Sequence, residues 1–165
     1  MTNDFKSILR AALFCGLVAS LPAVTHARTV KKPMVNACDV AREYIRLTDE
    51  KRYDEVGELW AEDAIFYNPR GEVIRGKAAI KQFYSAFLRK ITPVNRIASL
   101  TLDPKINTCV MELETRVVRG PDGHWTPDAR GDFVPTAIDR FVVNKAGKVQ
   151  QMRVYLAPDK AWLGQ

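Results

Sequence analysis

The chain has 165 residues, 47% of them apolar and 27% charged, with a formal net charge of +6. These values fit one folded domain with its own core and exclude a disordered, collagen-like or coiled-coil chain. The basic residues are interspersed with acidic ones rather than gathered in a stripe, which argues against a nucleic-acid partner.

Residues 1–27 read as a secretory signal peptide. Lys6 and Arg10 precede an apolar run from Ala11 to Val24, and Thr25-His26-Ala27 puts small residues three before and one before a cut after Ala27. The run is shorter than the roughly 20 residues of a spanning helix and contains Gly16 and Pro22. A lipoprotein cut before Cys15 is disfavoured by bulky Phe14. The expected product is exported, periplasmic or secreted, with no membrane attachment after cleavage. Losing Lys6, Arg10 and Asp4 lowers its charge by one.

Residues 28–35 read as a flexible lead-in. Asn36 then suits a helix cap, with Asp39 near the positive helix end. Ala37, Val40, Ala41, Tyr44, Ile45 and Leu47 fall mostly on one helical face. A short helix is expected from Tyr53 to Ala61, burying Val56, Leu59 and Trp60. Ala64 to Tyr67 and Glu72 to Arg75 read as strands around the turn Asn68-Pro69-Arg70-Gly71. Gly76 opens a third helix to about Lys90, with an apolar stripe of Ala79, Ile80, Phe83, Phe87 and Leu88.

After Pro93 the period changes to two. Strands are expected over 94–102, 108–118, 133–143 and 149–156, separated by turns rich in Gly, Pro, Asp and Asn. The domain therefore spans 36–157, with a tail over 158–165. Its class is α+β, three helices packed on a strongly curved, mainly antiparallel sheet.

Two motifs are set aside. Gly71 to Lys77 imitates a phosphate-binding loop, but Ala78 stands where a magnesium-holding Ser or Thr is needed. After cleavage the one histidine is His124, in a turn, so neither a zinc site nor a histidine-based triad is expected. No cofactor is implied. Cys38 and Cys109 either pair, closing a loop of about 70 residues worth roughly 4 kcal/mol, or remain buried thiols. The second reading is preferred, since sequence gives no distance between them.

The informative residues are Tyr44 and Asp139. On the third long strand Phe133, Pro135, Ala137, Asp139 and Phe141 alternate onto one face, and Asp139 is the polar member of that row. Burial disfavours the charged carboxylate, so a protonated Asp139 beside the Tyr44 phenol offers two donors to one ligand oxygen. The alternative is an ionised Asp139 paired with arginine and a Tyr44 that is plain core.

Arg42-Glu43-Tyr44-Ile45, Trp60-Ala61-Glu62-Asp63-Ala64, Asn68-Pro69-Arg70-Gly71, the segment from Arg75 to Tyr84, and Ile138-Asp139-Arg140-Phe141 together resemble ketosteroid isomerase. More broadly the chain is similar to the nuclear transport factor 2-like cone fold, which also hosts polyketide cyclases and dehydratases. The resemblance covers nearly all of residues 37–157. It implies an enclosed apolar pocket and a homodimer whose outward row Glu112, Glu114, Arg116, Arg140 and Arg153 makes polar contacts. Tyr44 and Asp139 match the tyrosine and protonated aspartate that grip a ligand oxygen in that enzyme. Asn68 falls where the enzyme has its aspartate base, and an amide accepts no proton at neutral pH. Glu72 and Asp132 lie near in sequence to pocket-forming segments, without a place assigned to either carboxylate.

The resulting expectation is a protein binding a small apolar carbonyl or hydroxyl compound between Tyr44, Asp139 and Asn68. Trp60, Phe83, Phe133, Phe141 and Met152 are expected as its walls. Proton-transfer chemistry of the isomerase, cyclase or dehydratase kind is one outcome. A non-catalytic carrier and a dimerising interaction module are the alternatives.

Overall fold

The computed structural model describes residues 36–121 and 123–157; the expected signal peptide, lead-in and tail lie outside the described residues. The first helix, α1 (Ala37–Asp49), starts where Asn36 accepts the Cys38 amide through its side chain at 2.8 Å. Its apolar stripe buries Ala37, Val40, Ala41, Tyr44 and Ile45. The second helix, α2 (Tyr53–Val56), is shorter than the sequence suggests. A single 3₁₀ turn over Gly57–Leu59 follows it, and the chain is already extended at Trp60. Trp60 and Ala61 therefore belong to the first strand, correcting the helical reading of that segment. The third helix, α3 (Lys77–Ile91), begins after Gly76, whose φ of 83° is a conformation that favours glycine.

Seven strands form one sheet: β1 (Trp60–Tyr67), β2 (Val73–Arg75), β3 (Asn95–Asp103), β4 (Thr108–Arg119), β5 (Trp125–Pro127), β6 (Asp132–Val143) and β7 (Val149–Leu156). The order is β2-β1-β7-β6-β4-β3, with β5 on the end of β4. Every pairing is antiparallel except β1 with β7, so the sheet is mixed. It curls into a half-barrel with the helices against its concave side, giving an α+β cone.

One bulge decides which side chains point inward. Between β4 and β6, Leu113 pairs with Ala137 but Glu114 pairs with Pro135, leaving Thr136 as the extra residue. A one-residue slip exchanges the two faces. Beyond the bulge Asp139, Phe141 and Val143 are buried, as the alternation requires; before it the parity inverts. Phe133 is thereby carried outward, where the Arg96 and Arg116 guanidiniums lie 4.4 and 4.5 Å from its ring centre.

Cys38 and Cys109 are bonded, with Cα atoms 5.0 Å apart, which corrects the preference for free thiols. The bond ties the first turn of α1 to the start of β4. In the same corner Asn107 accepts the Ala37 amide at 3.0 Å and donates to the Val143 carbonyl at 3.1 Å.

Candidate functional site

The cone encloses a cavity of about 170 Å³. Phe66 of β1, Phe83, Phe87 and Leu88 of α3, Leu113 of β4, and Val154 and Leu156 of β7 supply apolar lining. Polar groups enter it in three places.

The deepest is Asp139, 2% exposed, with Tyr44 from α1 and Tyr84 from α3. The rings of Tyr44 and Tyr84 meet edge to face at 6.0 Å. Tyr84 Oη also approaches Met152 Sδ at 3.5 Å. No arginine clasps Asp139, and its Oδ1 is one of two buried side-chain polar atoms without a hydrogen-bond partner among the described residues. Burial alone lifts its carboxyl pKa to about 7. Burial, reinforced by the negative charge Asp139 can carry, pushes both phenols far above their usual range, although the Tyr84 hydroxyl partly offsets this at Tyr44. Both tyrosines are thus O–H donors at any physiological pH, and Asp139 is a third donor whenever it is protonated.

The second polar place is a hydroxyl cluster created by the bulge. Thr115 donates to Asn95 Oδ1 at 2.9 Å, and the Thr136 hydroxyl lies 2.9 Å from that of Thr115. Both threonines are buried and line the cavity.

The third is the β1–β2 turn. Asn68 lines the cavity but its side chain is engaged within the turn: Oδ1 accepts the Arg70 and Glu72 amides at 3.0 and 2.9 Å, and Nδ2 donates to Glu72 Oε2 at 2.5 Å. Arg70 and Glu72 are exposed and also line the cavity, so this turn forms the rim.

Of the residues expected from the sequence, Tyr44, Asp139, Asn68 and Phe83 converge on one cavity. Trp60, Phe141 and Met152 are buried in the core behind it rather than at its wall, with Trp60 5.7 Å from the Tyr84 ring and Phe141 5.6 Å from that of Tyr44. Phe133 is not at the wall, because the bulge at Thr136 turns it outward. Asp132 is absent from the lining while Glu72 is present. Sequence reasoning missed Tyr84, yet a signal existed: Ile80, Tyr84 and Leu88 are spaced by four and form the buried line of α3. No group of three or more His, Cys, Asp or Glu residues able to hold a metal occurs among the described residues.

Fold and site together define a cone-shaped protein with a pocket that is apolar along its walls and polar at its floor. Residues 41–152 match the SnoaL-like domain family, and the chain belongs to that family, within the nuclear transport factor 2-like superfamily. No curated protein matches the sequence. Among solved structures, the chain is similar to the epoxide hydrolase/cyclase-like enzyme SalBIII of pyran ring formation in salinomycin. That match has 20% identity over 75% of this chain and 92% of the other, with a TM-score of 0.58. A putative isomerase from Bacillus subtilis shares 23% identity over 74% of this chain and 86% of its own, also at 0.58. RV0760c from Mycobacterium tuberculosis, solved in complex with estradiol-17beta-hemisuccinate, shares 18% over 75% and 95%, again at 0.58. At these identities the likeness is one of fold.

Proposed function

We propose that this protein binds a small apolar molecule through a carbonyl or hydroxyl oxygen held by Tyr44, Tyr84 and protonated Asp139, and that it acts on it by proton transfer. The observation that carries this reading is Asp139 itself: a carboxyl buried without a cation, with one oxygen unsatisfied, beside two phenols in an otherwise apolar cavity. Leaving a buried polar atom unpaired costs about 1–3 kcal/mol, which a ligand oxygen offsets. An engineered cavity of about 150 Å³ holds benzene. A cavity of about 170 Å³ accordingly suits one or two fused rings, and anything larger must extend through the rim. An epoxide hydrolase/cyclase-like enzyme, a putative isomerase and a ligand complex among proteins of this fold support the reading.

The test is titration of 2-naphthol into wild type, Asp139→Asn and Asp139→Leu at pH 6 and pH 8.5. Ionisation of Asp139 near pH 7 replaces a donor by a repelling charge, while Tyr44 and Tyr84 stay protonated. Wild-type affinity should fall more than about tenfold between the two pH values. Asp139→Asn should show no such fall, and Asp139→Leu should bind weakly at both. Binding indifferent to pH and to residue 139 would remove the oxygen-gripping role. With the same probe, Phe83→Ala should weaken binding by about 1–2 kcal/mol and Phe133→Ala by less than about 0.3 kcal/mol, since one ring borders the cavity and the other does not.

Two further parts of the proposal concern setting. Ile138 and Tyr155 are paired neighbours on the outer sheet face and are 43% and 50% exposed, which supports a homodimer through that face. The Cys38–Cys109 bond, with the signal-like start of the chain, supports an exported, oxidising location.

A further inference from the structure

The bulge in β6 does more to the cavity than turn Phe133 outward. Asp139 and Thr136 are three residues apart, a spacing that puts two side chains on opposite faces of a regular strand. The extra residue lets both face inward, and both are 2% exposed. They stand roughly 10 Å apart along β6 at the usual rise per residue. Ala137 lies between them and also borders the cavity, where its single methyl group leaves room for a ring to pass.

The proton count of the hydroxyl cluster gives it a direction. Thr115 has one proton and gives it to Asn95 Oδ1 at 2.9 Å, so Thr136 is the donor in its 2.9 Å contact with Thr115. The Leu113 carbonyl, at 3.3 Å, is the longer alternative for the Thr136 proton. The chain from Thr136 through Thr115 thus holds the Asn95 amide by its oxygen. Its Nδ2 protons have no partner among the described residues. The Asn95 backbone is fixed as well: its amide donates to Asp49 Oδ1 at 3.3 Å, and the Arg116 amide donates to the adjoining Val94 carbonyl at 2.9 Å. Backbone pairing already joins β3, β4 and β6 here, so the cluster is not needed to hold the strands together. What it adds is an oriented, open N–H donor on a residue that lines the cavity.

We propose that Asn95, with Thr115 and Thr136 as positioning residues, is a second oxygen-binding point of this cavity, and that the ligand class is a rigid apolar molecule with an oxygen function at each end, such as a diol or hydroxyketone of two fused rings. This rests on the oxygen-gripping role given to Asp139 above. One ligand oxygen meets Tyr44, Tyr84 and Asp139; the other accepts from Asn95 Nδ2. A molecule with a single oxygen fills the same space but covers the Asn95 amide without pairing it, and a donor left unpaired weakens binding. The cavity therefore selects its ligand by the spacing of two oxygens, which apolar walls alone do not do.

The experiment titrates 2-naphthol, 2,6-dihydroxynaphthalene and 2,3-dihydroxynaphthalene by their fluorescence at pH 6, where Asp139 is mostly protonated. The 2,6 isomer carries its hydroxyls at opposite ends of the ring pair and the 2,3 isomer carries both at one end. Wild type should bind the 2,6 isomer about five- to twentyfold more tightly than 2-naphthol, about twofold of this being statistical because either end can meet the floor. The 2,3 isomer should gain no more than about twofold. In Asn95→Leu, which keeps the bulk and removes the amide, the preference for the 2,6 isomer should fall to about twofold, while 2-naphthol affinity changes less than about threefold. Thr115→Val keeps the shape of the wall but frees the amide, so it should lower the preference partway and leave 2-naphthol binding intact. A wild-type preference no greater than the statistical one would overturn the proposal and leave the floor standing. So would a preference that survives in Asn95→Leu, or one shared equally by the 2,3 isomer, which would report added polarity rather than spacing. Loss of 2-naphthol binding by wild type itself would overturn the floor reading and this inference with it.

Discussion

Asp139→Asn is expected to make the protein more stable at alkaline pH while impairing its pocket. A carboxyl that ionises near 3.8 in the unfolded chain and at about 7 in the fold binds its proton more tightly when folded. Its penalty is absent below about pH 4, grows as pH rises toward 7, and is complete above that, where it amounts to about 4 kcal/mol. An asparagine carries no such penalty. Its own unpaired amide offsets part of the gain, so the variant should be about 2–4 kcal/mol more stable than wild type at pH 8.5, a rise in Tm of about 5–10 °C. At pH 4, where neither residue is charged, only the amide's offset remains, and the variant should melt at the wild-type Tm or up to about 5 °C below it. Thermal denaturation followed by circular dichroism across pH 4–9 measures this directly. The difference between the curves, rather than either curve alone, isolates residue 139 from every other titrating group. A gain of stability that comes with a loss of ligand affinity is the expected mark of a residue kept for function.

Breaking the Cys38–Cys109 bond is expected to cost nearly as much in the opposite direction. The two cysteines are 71 positions apart. Closing a loop of that length restricts the unfolded chain by roughly 4 kcal/mol. Under reductant, or in the Cys38→Ala/Cys109→Ala pair, Tm should fall by about 10 °C. The bond also anchors α1, the element that presents Tyr44 to the cavity, so 2-naphthol affinity should drop in the reduced protein even well below its Tm. An unchanged melting curve with full reduction confirmed by thiol titration would show that Asn107 and the α1 stripe hold this corner unaided.

Much of this architecture is written locally. Asn36 as a cap, the stripe through Tyr44, the turns after Tyr67, and the strand limits Val149 to Leu156 all follow from short-range patterns that tertiary structure left intact. Asp139 was visible because a single acid in an apolar row is anomalous wherever the row is buried. What escaped is non-local. Nothing in the spacing of Phe133 announces that Thr136 bulges, yet that one extra residue decides whether Phe133 faces ligand or arginine. Trp60 reads as helical because Val56, Leu59 and Trp60 share a helical face, but pairing with Val149 of β7 draws it into the sheet. The disulfide depended on a distance that only the packing of α1 beside β4 supplies. Tyr84 lies outside the stripe that the sequence suggests, which runs through Phe83 and Phe87; all three rings border the cavity, and Tyr84 is the buried one. Glu72 was legible as a residue but not as a neighbour of the pocket, since its place depends on how Asn68 folds the turn back on itself.

The account stands on the ionisation of one carboxyl, and that can be watched on its own. In protein carrying ¹³C-labelled aspartate, the carboxyl resonance missing from Asp139→Asn should titrate with a midpoint near pH 7 in the free protein and move higher when 2-naphthol occupies the pocket. A midpoint near pH 4, unmoved by the ligand, would mean that Asp139 is a charged carboxylate under physiological conditions and would contradict the oxygen-binding floor.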